Sequence, residues 1–326
     1  MERGDQHREA LGEWLADIGF PLREARPLPG DVSPRRYARL TAAGGETAIL
    51  ASYPAELLAA CGRFARTTEI LGAAGVPVPR VLAADCGRGW MLLEDLGELT
   101  LADLRDRPWS ELEAYFEDAA ALAGRIAALP PEAVRSLNPP LDGALLAREL
   151  AQTRQLFLEP RGLVPPDAAA ATPLDEALAE LCRALGRDPL VPCHRDFMAR
   201  NLVPRDPGRV AVLDHQDLRL GPPAYDMASL LNDTLFPPPA VESRLLDAAL
   251  PAGDSRAAAR LSYHRASAQR TLKAVGSYAA FAHRGSERHL PLIGPTLRRF
   301  LHHLGSVPEG ERLAPGLEQA WASALG

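Results

Sequence analysis

The sequence predicts an α+β protein of two lobes, a small antiparallel β lobe with one helix and a larger, mainly helical lobe. Short apolar runs with strand character dominate residues 1–97, whereas residues 100–186 and the chain after residue 224 repeat their apolar positions at helical spacing. Strands and helices are therefore segregated, unlike the alternating βαβ order of Rossmann and P-loop folds. The glycine-rich motifs of those folds, GxGxxG and GxxxxGK[ST], do not occur. We expect a first domain at 1–97 and a second at 98–326.

The small lobe is predicted to contain a hairpin, a long helix and two further strands. Gly44 and Gly45 separate two short apolar runs, as a tight hairpin turn requires. Residues 56–74 repeat Leu and Phe at helical spacing and stop at a glycine, while 8–18 has the pattern of a short amphipathic helix. Prolines within 76–82 confine that strand to a sheet edge. The strand candidates are 37–40, 47–52, 76–82 and 90–93.

The bulk composition is that of an ordinary globular protein, with 47% hydrophobic and 24% charged residues. The net charge of −6 has the wrong sign for a dedicated nucleic-acid-binding protein. Apolar runs stay below the roughly 18–20 residues of a membrane-spanning helix, and residues 1–13 lack the apolar core of a signal peptide. We expect a monomeric, cytoplasmic protein that binds neither nucleic acid nor membranes.

Cysteine and lysine usage bears on redox state and on mechanism. The cysteines show neither a CxxC pair nor zinc-knuckle spacing, so we expect four reduced thiols. They are Cys61, Cys86, Cys182 and Cys193. Lys273 is the only lysine, a bias that a GC-rich genome would produce, and the first lobe therefore has no lysine for any chemistry.

One stretch of the second lobe carries the most informative pattern. His194, Asp196 and Asn201 have the spacing H-x-D-x₄-N between two short apolar segments. A later apolar segment ends at Asp214, and a G-P-x-x-x-D sequence that finishes at Asp226 then opens a helix. Each part is common alone, but the combination has few chance matches and indicates kinase-type chemistry.

Phosphoryl transfer requires mainly positioning and charge neutralisation, and this pattern supplies groups for both. Asp196 is the expected base for the proton of the acceptor hydroxyl. Asn201 and Asp214 offer an amide oxygen and a carboxylate, the hard ligands that Mg²⁺ prefers. A loop between two short strands would bring the three together. The sequence therefore predicts an ATP- and Mg²⁺-dependent kinase with Asp196 as its catalytic base.

The neighbouring polar residues are expected to support this loop. His194 is predicted to be a buried histidine that braces the loop by hydrogen bonds. Asp226 is predicted to be a second, buried brace, with a plain helix N-cap as the alternative. Asp217 and Gln216 are either substrate contacts or turn residues.

These motifs resemble those of the aminoglycoside phosphotransferase/choline kinase superfamily, which has the two-lobed protein-kinase-like fold. Within it, the chain is similar to the bacterial N-acetylmuramate/N-acetylglucosamine anomeric kinases. The resemblance extends over most of the chain. It rests on the segments 30–39, 75–85, 92–97, 212–231 and 269–276.

The resemblance implies transfer of phosphate from ATP to the anomeric hydroxyl of a free amino sugar, giving a sugar 1-phosphate used in peptidoglycan (cell-wall) recycling. It places nucleotide binding in the first lobe and catalysis with sugar binding in the second. The implied roles are base for Asp196, metal ligands for Asn201 and Asp214, adenine contacts for Glu94 and Leu96, and phosphate contacts for Ser33, Arg35 and Arg36.

One departure from the wider superfamily concerns the phosphates. Kinase-like folds usually hold them with a lysine on the third strand, and residues 46–53 contain none. An arginine can clamp phosphates with two parallel hydrogen bonds, so Arg35, Arg36 and Arg39 are candidates, with a solvated basic turn as the alternative. Glu69 on the predicted helix either pairs with one of them or is exposed.

The acceptor is expected to lie against the C-terminal helices, which are basic. From Arg256 to Leu304 there are nine lysine or arginine residues and one acidic residue, Glu287. Such a surface suits neither a polycationic aminoglycoside nor choline, which needs an aromatic cage, but it suits a carboxylate-bearing sugar such as N-acetylmuramate. Arg270 and Lys273 are the candidate contacts, and a basic outer helix face is the alternative.

Three other functions stay open at this stage. A kinase of the same superfamily for an aminoglycoside, homoserine or another sugar would keep all of these residues. A metal-dependent phosphoesterase is possible because His194, Asp196, Asp214 and His215 can be drawn as a metal cluster. A pseudokinase or binding module would explain the missing lysine, although Asp196, Asn201 and Asp214 are all present.

Overall fold

The structure, a computed structural model, describes residues 2–28, 34–165, 172–205, 207–250, 253 and 255–325. The chain forms two compact units. The first comprises Met1–Ala73 and Pro77–Glu98, and the second comprises Ala74–Val76 and Leu99–Gly326. The sheet of five strands lies in the first unit and most helices lie in the second, so the α+β prediction is confirmed.

The first unit is an antiparallel sheet covered by a helix on each face. Its elements are α1 (Glu2–Asp17), β1 (Leu22–Pro27), β2 (Arg36–Ala42), β3 (Thr47–Ser52), α2 (Leu58–Ala73), β4 (Val81–Asp85) and β5 (Trp90–Glu94). The strand order is β1-β2-β3-β5-β4, so the prediction of an edge strand is confirmed. Strand β4 begins at Val81, after both prolines, and not at residue 76 as predicted.

Strand β5 is buried on both faces, which explains its uninterrupted apolar sequence. Trp90 and Leu92 pack with Trp14 of α1 on one face of the sheet, whereas Met91 and Leu93 pack with α2 on the other. The predicted strand at 90–93 is therefore confirmed.

Strand β1 is absent from the sequence prediction, and α1 is longer than the helix predicted at 8–18. All six residues of β1 are exposed, and the strand is held by its pairing with β2. A strand whose two faces are both in solvent has no need of apolar residues at alternate positions, so it leaves no periodic signal.

The expectation of four reduced cysteines is wrong for one pair. Cys61 of α2 and Cys86, in the turn between β4 and β5, form a disulfide with Cα atoms 5.5 Å apart. The two meet because α2 packs on the sheet face beside that turn, and sequence spacing does not reveal such a contact. Cys182 and Cys193 in the second unit are free and buried, and burial raises the pKa of both thiols.

The second unit consists of helices around two small antiparallel sheets. Its elements are α3 (Trp109–Ala127), α4 (Pro131–Val134), α5 (Gly143–Thr153), α6 (Pro173–Arg187), β6 (Val191–Cys193), β7 (Leu202–Pro204), β8 (Val210–Val212), β9 (Arg219–Gly221), α7 (Tyr225–Leu231), α8 (Pro239–Ala249), α9 (Ser255–His283), α10 (Ile293–Gly305), α11 (Ala314–Ala320) and α12 (Ala322–Leu325). Strand β6 pairs with β9, and β7 pairs with β8. Throughout the described ranges, each helix is too short or too polar to cross a bilayer.

A buried asparagine fixes helix α9 to its neighbours. Asn232, directly after α7, is 1% exposed. Its amide nitrogen donates to Tyr263 and Ser267 of α9, and its amide oxygen accepts from Arg299 and His303 of α10. Because a buried amide is costly unless its hydrogen bonds are made, this arrangement favours one packing of α9.

Gly276 marks a close approach of α9 to α5. A Cβ atom added at this glycine would lie 2.2 Å from Thr153 Oγ1 and 2.8 Å from Thr153 Cα. Although alanine is the better helix former, we expect Gly276→Ala to lower the free energy of unfolding by about 1–3 kcal/mol through overpacking. Urea unfolding followed by circular dichroism measures the change.

Gly62 provides the matched control for this substitution. It is exposed on α2, and a Cβ there would have no neighbour within 4 Å. Gly62→Ala is therefore expected to raise the free energy of unfolding by about 0.5–1 kcal/mol. If both variants changed the free energy of unfolding by the same amount, the packing argument would be wrong.

Candidate active site

The two small sheets bring the catalytic loop and the segment after β8 together. The loop, residues 194–201, connects β6 to β7, and Asp214 follows β8. His194 is fully buried, and its Nε2 lies 2.9 Å from the carbonyl oxygen of Leu213. Since a carbonyl only accepts, Nε2 carries the proton of this bond. The Leu213 N–H donates in turn to the carbonyl of Asn201 at 2.8 Å, so the loop is held at two points.

Asp226 of α7 binds the backbone of the catalytic loop. Its Oδ2 accepts from the His194 N–H at 2.7 Å and its Oδ1 accepts from the Arg195 N–H at 2.9 Å. The side chain is 5% exposed, and burial raises its pKa against the opposing effect of His194 and the two N–H groups. The carboxylate thus serves the loop rather than the first turn of its own helix.

Arg195 adopts a backbone conformation that favours glycine, with φ of 77°. Hydrogen bonds of both backbone groups hold it there: its N–H donates to Asp226, and its carbonyl accepts from Ser229 Oγ at 3.2 Å. The guanidinium donates to Glu149 at 2.8 Å and to Asp217 at 3.3 Å. Glu149 comes from α5, and sequence reasoning missed it because a single acidic residue in a helical segment carries no motif.

Asp196 lies in a cationic environment. Its Oδ1 is 3.5 Å from the guanidinium of Arg270, which is 5% exposed and also donates to Ser229 Oγ at 3.1 Å. Burial alone would raise the pKa of Asp196, but the charges of Lys273, Arg270 and Arg195 outweigh it and hold that pKa well below the usual range. The carboxylate, 23% exposed, is therefore ionised at neutral pH.

Asp214 and the residues Asn201 and Gln216 offer oxygen atoms of the kind that magnesium prefers. Asn201 donates its Nδ2 to the carbonyl of Asp196 at 2.8 Å, which leaves the amide oxygen pointing elsewhere. Gln216 donates to Asp214 Oδ1 at 2.9 Å, and its own buried Oε1 has no hydrogen-bond partner among the described residues. Carboxylate and amide oxygens are hard ligands, so these residues fit Mg²⁺.

The metal cluster drawn for a phosphoesterase is not assembled. Within the described residues, no group of three or more His, Cys, Asp or Glu side chains is placed to bind a metal ion. His194 Nε2 is bonded to the Leu213 carbonyl. His215 is fully buried, and burial, followed by the influence of His194, lowers its pKa to about 3.

The three substrate candidates lie in different surroundings. Asp217 is 36% exposed and accepts from Arg195 and Arg219, each at 3.3 Å. Arg270 is buried against the carboxylate of Asp196. Lys273, one turn further along α9, is partly buried, and burial together with the charge of Arg270 lowers its pKa to about 8.

The candidate nucleotide contacts belong to the first unit. Ser33 lies outside the described residues. The guanidinium carbon of Arg35 is 5.9 Å from the ring centroid of Tyr37, and Arg36 begins β2 with an exposed side chain. Leu96 is partly buried just after β5.

Two charged side chains of this unit are engaged within its sheet. Glu94, at the end of β5, accepts from Arg80 Nε at 3.1 Å. Arg39 makes two parallel hydrogen bonds to Asp95, at 2.6 and 2.9 Å, and a third to the Gly97 carbonyl at 2.8 Å. The fork of Arg39 is therefore committed to the protein rather than open to a phosphate.

Glu69 does not pair with an arginine of the strands. It is 67% exposed and lies 3.0 Å from Arg66 on the same helix. Such an exposed pair contributes little to stability.

Comparison with known proteins now decides the family. Residues 24–262 match the model of the phosphotransferase enzyme family, APH. The chain belongs to this family. This phosphotransferase is 34% identical over 337 residues to the N-acetylmuramate/N-acetylglucosamine kinase of Pseudomonas putida, with 97% of this chain and 95% of that protein covered.

Solved structures show the same fold for this phosphotransferase. A choline kinase from Streptococcus pneumoniae has a TM-score of 0.60 at 14% identity and covers 92% of this chain, with 98% of its own length matched. An ADP-bound aminoglycoside phosphotransferase has a TM-score of 0.60 at 14% identity, with 90% and 96% covered. The predictions of a protein-kinase-like fold and of phosphotransferase chemistry are confirmed.

Proposed function

We propose that this phosphotransferase is an ATP- and Mg²⁺-dependent kinase for the anomeric hydroxyl of N-acetylmuramate and N-acetylglucosamine. The observation that supports the chemistry is the ionised Asp196, held in a loop that Asp226 fixes. Asn201 of the same loop bonds the Asp196 carbonyl, and Leu213, which precedes Asp214, bonds the Asn201 carbonyl. The similarity over nearly the whole chain to the N-acetylmuramate/N-acetylglucosamine kinase of Pseudomonas putida supports this choice of acceptor. The product would be a sugar 1-phosphate for cell-wall recycling in the cytoplasm.

The proposed step breaks the bond between the γ-phosphorus and the bridging oxygen of ATP and forms a bond from that phosphorus to the anomeric oxygen. The electrons of the broken bond leave with ADP, and the hydroxyl proton passes to a carboxylate oxygen of Asp196. A carboxylate of low pKa is a weak base, but it orients the hydroxyl by accepting its hydrogen bond. Phosphoryl transfer depends more on such positioning than on early proton removal.

The proposal assigns two side chains as protein ligands of the metal ion. The carboxylate of Asp214 and the amide oxygen of Asn201 would hold Mg²⁺, and the buried Oε1 of Gln216 offers a further acceptor for a metal-bound water. When bound, the ion neutralises the charge of the triphosphate.

The nucleotide contacts are assigned to the first unit. The backbone of Glu94 to Leu96 would bind adenine, and Ser33, Arg35 and Arg36 would meet the phosphates. Arg39 is not assigned to the phosphates because its guanidinium already donates to the carboxylate of Asp95. Asp217, which is held by two arginines and is partly exposed, is assigned to the sugar hydroxyls.

The test is ATP consumption with Mg²⁺ against N-acetylmuramate, N-acetylglucosamine, glucosamine, kanamycin, choline and homoserine. We expect turnover of the two N-acetyl sugars and an acid-labile, alkali-stable product that has lost its reducing end. Turnover of another panel member alone would keep the phosphotransferase chemistry and overturn the acceptor.

The methyl glycoside of N-acetylglucosamine is the matched control substrate. It carries the same ring hydroxyls but no free anomeric hydroxyl, so we expect it not to be phosphorylated. Phosphorylation of this compound would show that another hydroxyl is the acceptor. Chelation of the metal is expected to stop turnover of the free sugar.

A further inference from the structure

Two cations of helix α9 face Asp196, but the protein uses them differently. Lys273 follows Arg270 by three residues, a spacing that places both on one face of the helix. Arg270 makes its contacts within the protein: it donates to Ser229 Oγ, approaches Met198 Sδ at 3.8 Å and lies 3.5 Å from Asp196 Oδ1. Its guanidinium is buried and fixes the base, so it is a positioning residue.

Lys273 has the opposite character. In the part of the chain that the structure describes, no group accepts a hydrogen bond from its ammonium, although the side chain is partly buried. An ammonium has three donors, and those of Lys273 are open to solvent and to a ligand, since the nitrogen is not enclosed by the protein. A ligand with an anionic oxygen would supply what the protein does not.

The surroundings of Lys273 indicate which ligand this is. The charged groups that act on its ammonium are Arg270, Asp196, Glu149 and Arg195, from α9, the start of the catalytic loop and α5. In the proposed mechanism Asp196 contacts the attacking hydroxyl, so a cation that acts on Asp196 is also close to the acceptor sugar.

We propose that Lys273 binds the carboxylate of the acceptor sugar, which is the lactyl group of N-acetylmuramate, and thereby sets the preference for that sugar over N-acetylglucosamine. The inference rests on the proposed function. Both sugars would use the same base and metal site. They differ at Lys273, because N-acetylglucosamine has no carboxylate to offer.

The preference is expected to depend on pH because Lys273 loses its charge as the pH rises through about 8. The groups that face it do not titrate between pH 7 and 9. The pKa values of Arg195 and Arg270 are raised, and those of Asp196 and Glu149 are lowered. The sugar carboxylate also stays ionised in this range. The ratio of kcat/KM for N-acetylmuramate to kcat/KM for N-acetylglucosamine should therefore fall from pH 7 to pH 9.

The test compares this ratio in the wild type, Lys273→Met and Lys273→Arg at pH 7 and pH 9. Loss of a charge-assisted hydrogen bond is expected to lower the ratio about 10- to 100-fold in Lys273→Met at pH 7. Lys273→Arg keeps a charge at both pH values, so its ratio should be retained and become independent of pH. The change of this ratio with pH in the wild type tests the inference without any variant. It therefore remains a test if Lys273→Met fails to fold.

Other outcomes would overturn the inference in distinguishable ways. If Lys273→Met lowers kcat/KM for both sugars equally, the ammonium contacts the transferred phosphoryl group or supports the fold, and the carboxylate assignment is wrong. If the wild type shows no change of the ratio with pH, the assignment is wrong as well. If the wild type phosphorylates neither sugar, the proposed function itself fails and the inference fails with it.

Discussion

Replacing Asp196 with Asn is expected to lower kcat about 100- to 10,000-fold and to leave nucleotide binding intact. The amide has the shape of the carboxylate, but it neither accepts the hydroxyl proton nor carries the charge that faces Arg270. ATP consumption with N-acetylmuramate gives kcat, and calorimetric titration with a nucleotide gives the binding constant. The proposed mechanism separates the two because Asp196 contacts the acceptor and not the nucleotide.

Asp142→Asn is the matched control for this variant. Asp142 caps helix α5 by accepting from the Leu145 N–H at 2.8 Å, and asparagine caps helices equally well. The same isosteric change at this position should leave kcat unchanged. Turnover of Asp196→Asn at the wild-type rate would exclude Asp196 as the base.

Asp226→Ala is expected to lower the free energy of unfolding by about 2–4 kcal/mol. It would leave the N–H groups of His194 and Arg195 buried without acceptors, and each such loss costs about 1–3 kcal/mol. The loop that carries Asp196 would also lose its anchor, so kcat should fall at temperatures where the variant is still folded. Urea unfolding gives the stability, and the slope with urea should stay unchanged.

Asp226→Asn distinguishes the loss of acceptors from the loss of volume. The amide keeps one oxygen, which can accept from one of the two backbone N–H groups. Its NH₂ group takes the place of the other carboxylate oxygen and leaves the second N–H without an acceptor. We expect a stability between those of the wild type and Asp226→Ala. If Asp226→Ala has the same midpoint of urea unfolding as the wild type, the carboxylate does not anchor the loop.

The parts of the site that the sequence predicts are those that lie close together along the chain. The spacing of His194, Asp196, Asn201 and Asp214 is informative because short strands and one loop suffice to bring these residues together. Glu149 is different, since it reaches Arg195 only through the packing of α5 against α9 and the catalytic loop.

The same distinction holds for the fold. The strand at 90–93 is predictable because burial on both faces requires an unbroken apolar run. Strand β1 and the Cys61–Cys86 bond are not predictable, because exposed strands have no apolar pattern and a contact between distant segments depends on tertiary packing. Arg39 illustrates a third case: the sequence offers it as one of three candidate phosphate contacts, whereas in the structure its guanidinium binds Asp95, a contact between distant segments that no spacing along the chain reveals.

The isolation of Lys273 has a practical consequence for chemical labelling. The sequence of 326 residues contains a single side-chain amine, and it stands beside Asp196. With a pKa of about 8, a larger share of it is the neutral nucleophile at neutral pH than for an ordinary lysine. Apart from the α-amino group, an acylating fluorophore would therefore report on one position, and a bound sugar would be visible as protection of that position in the mass of the intact protein.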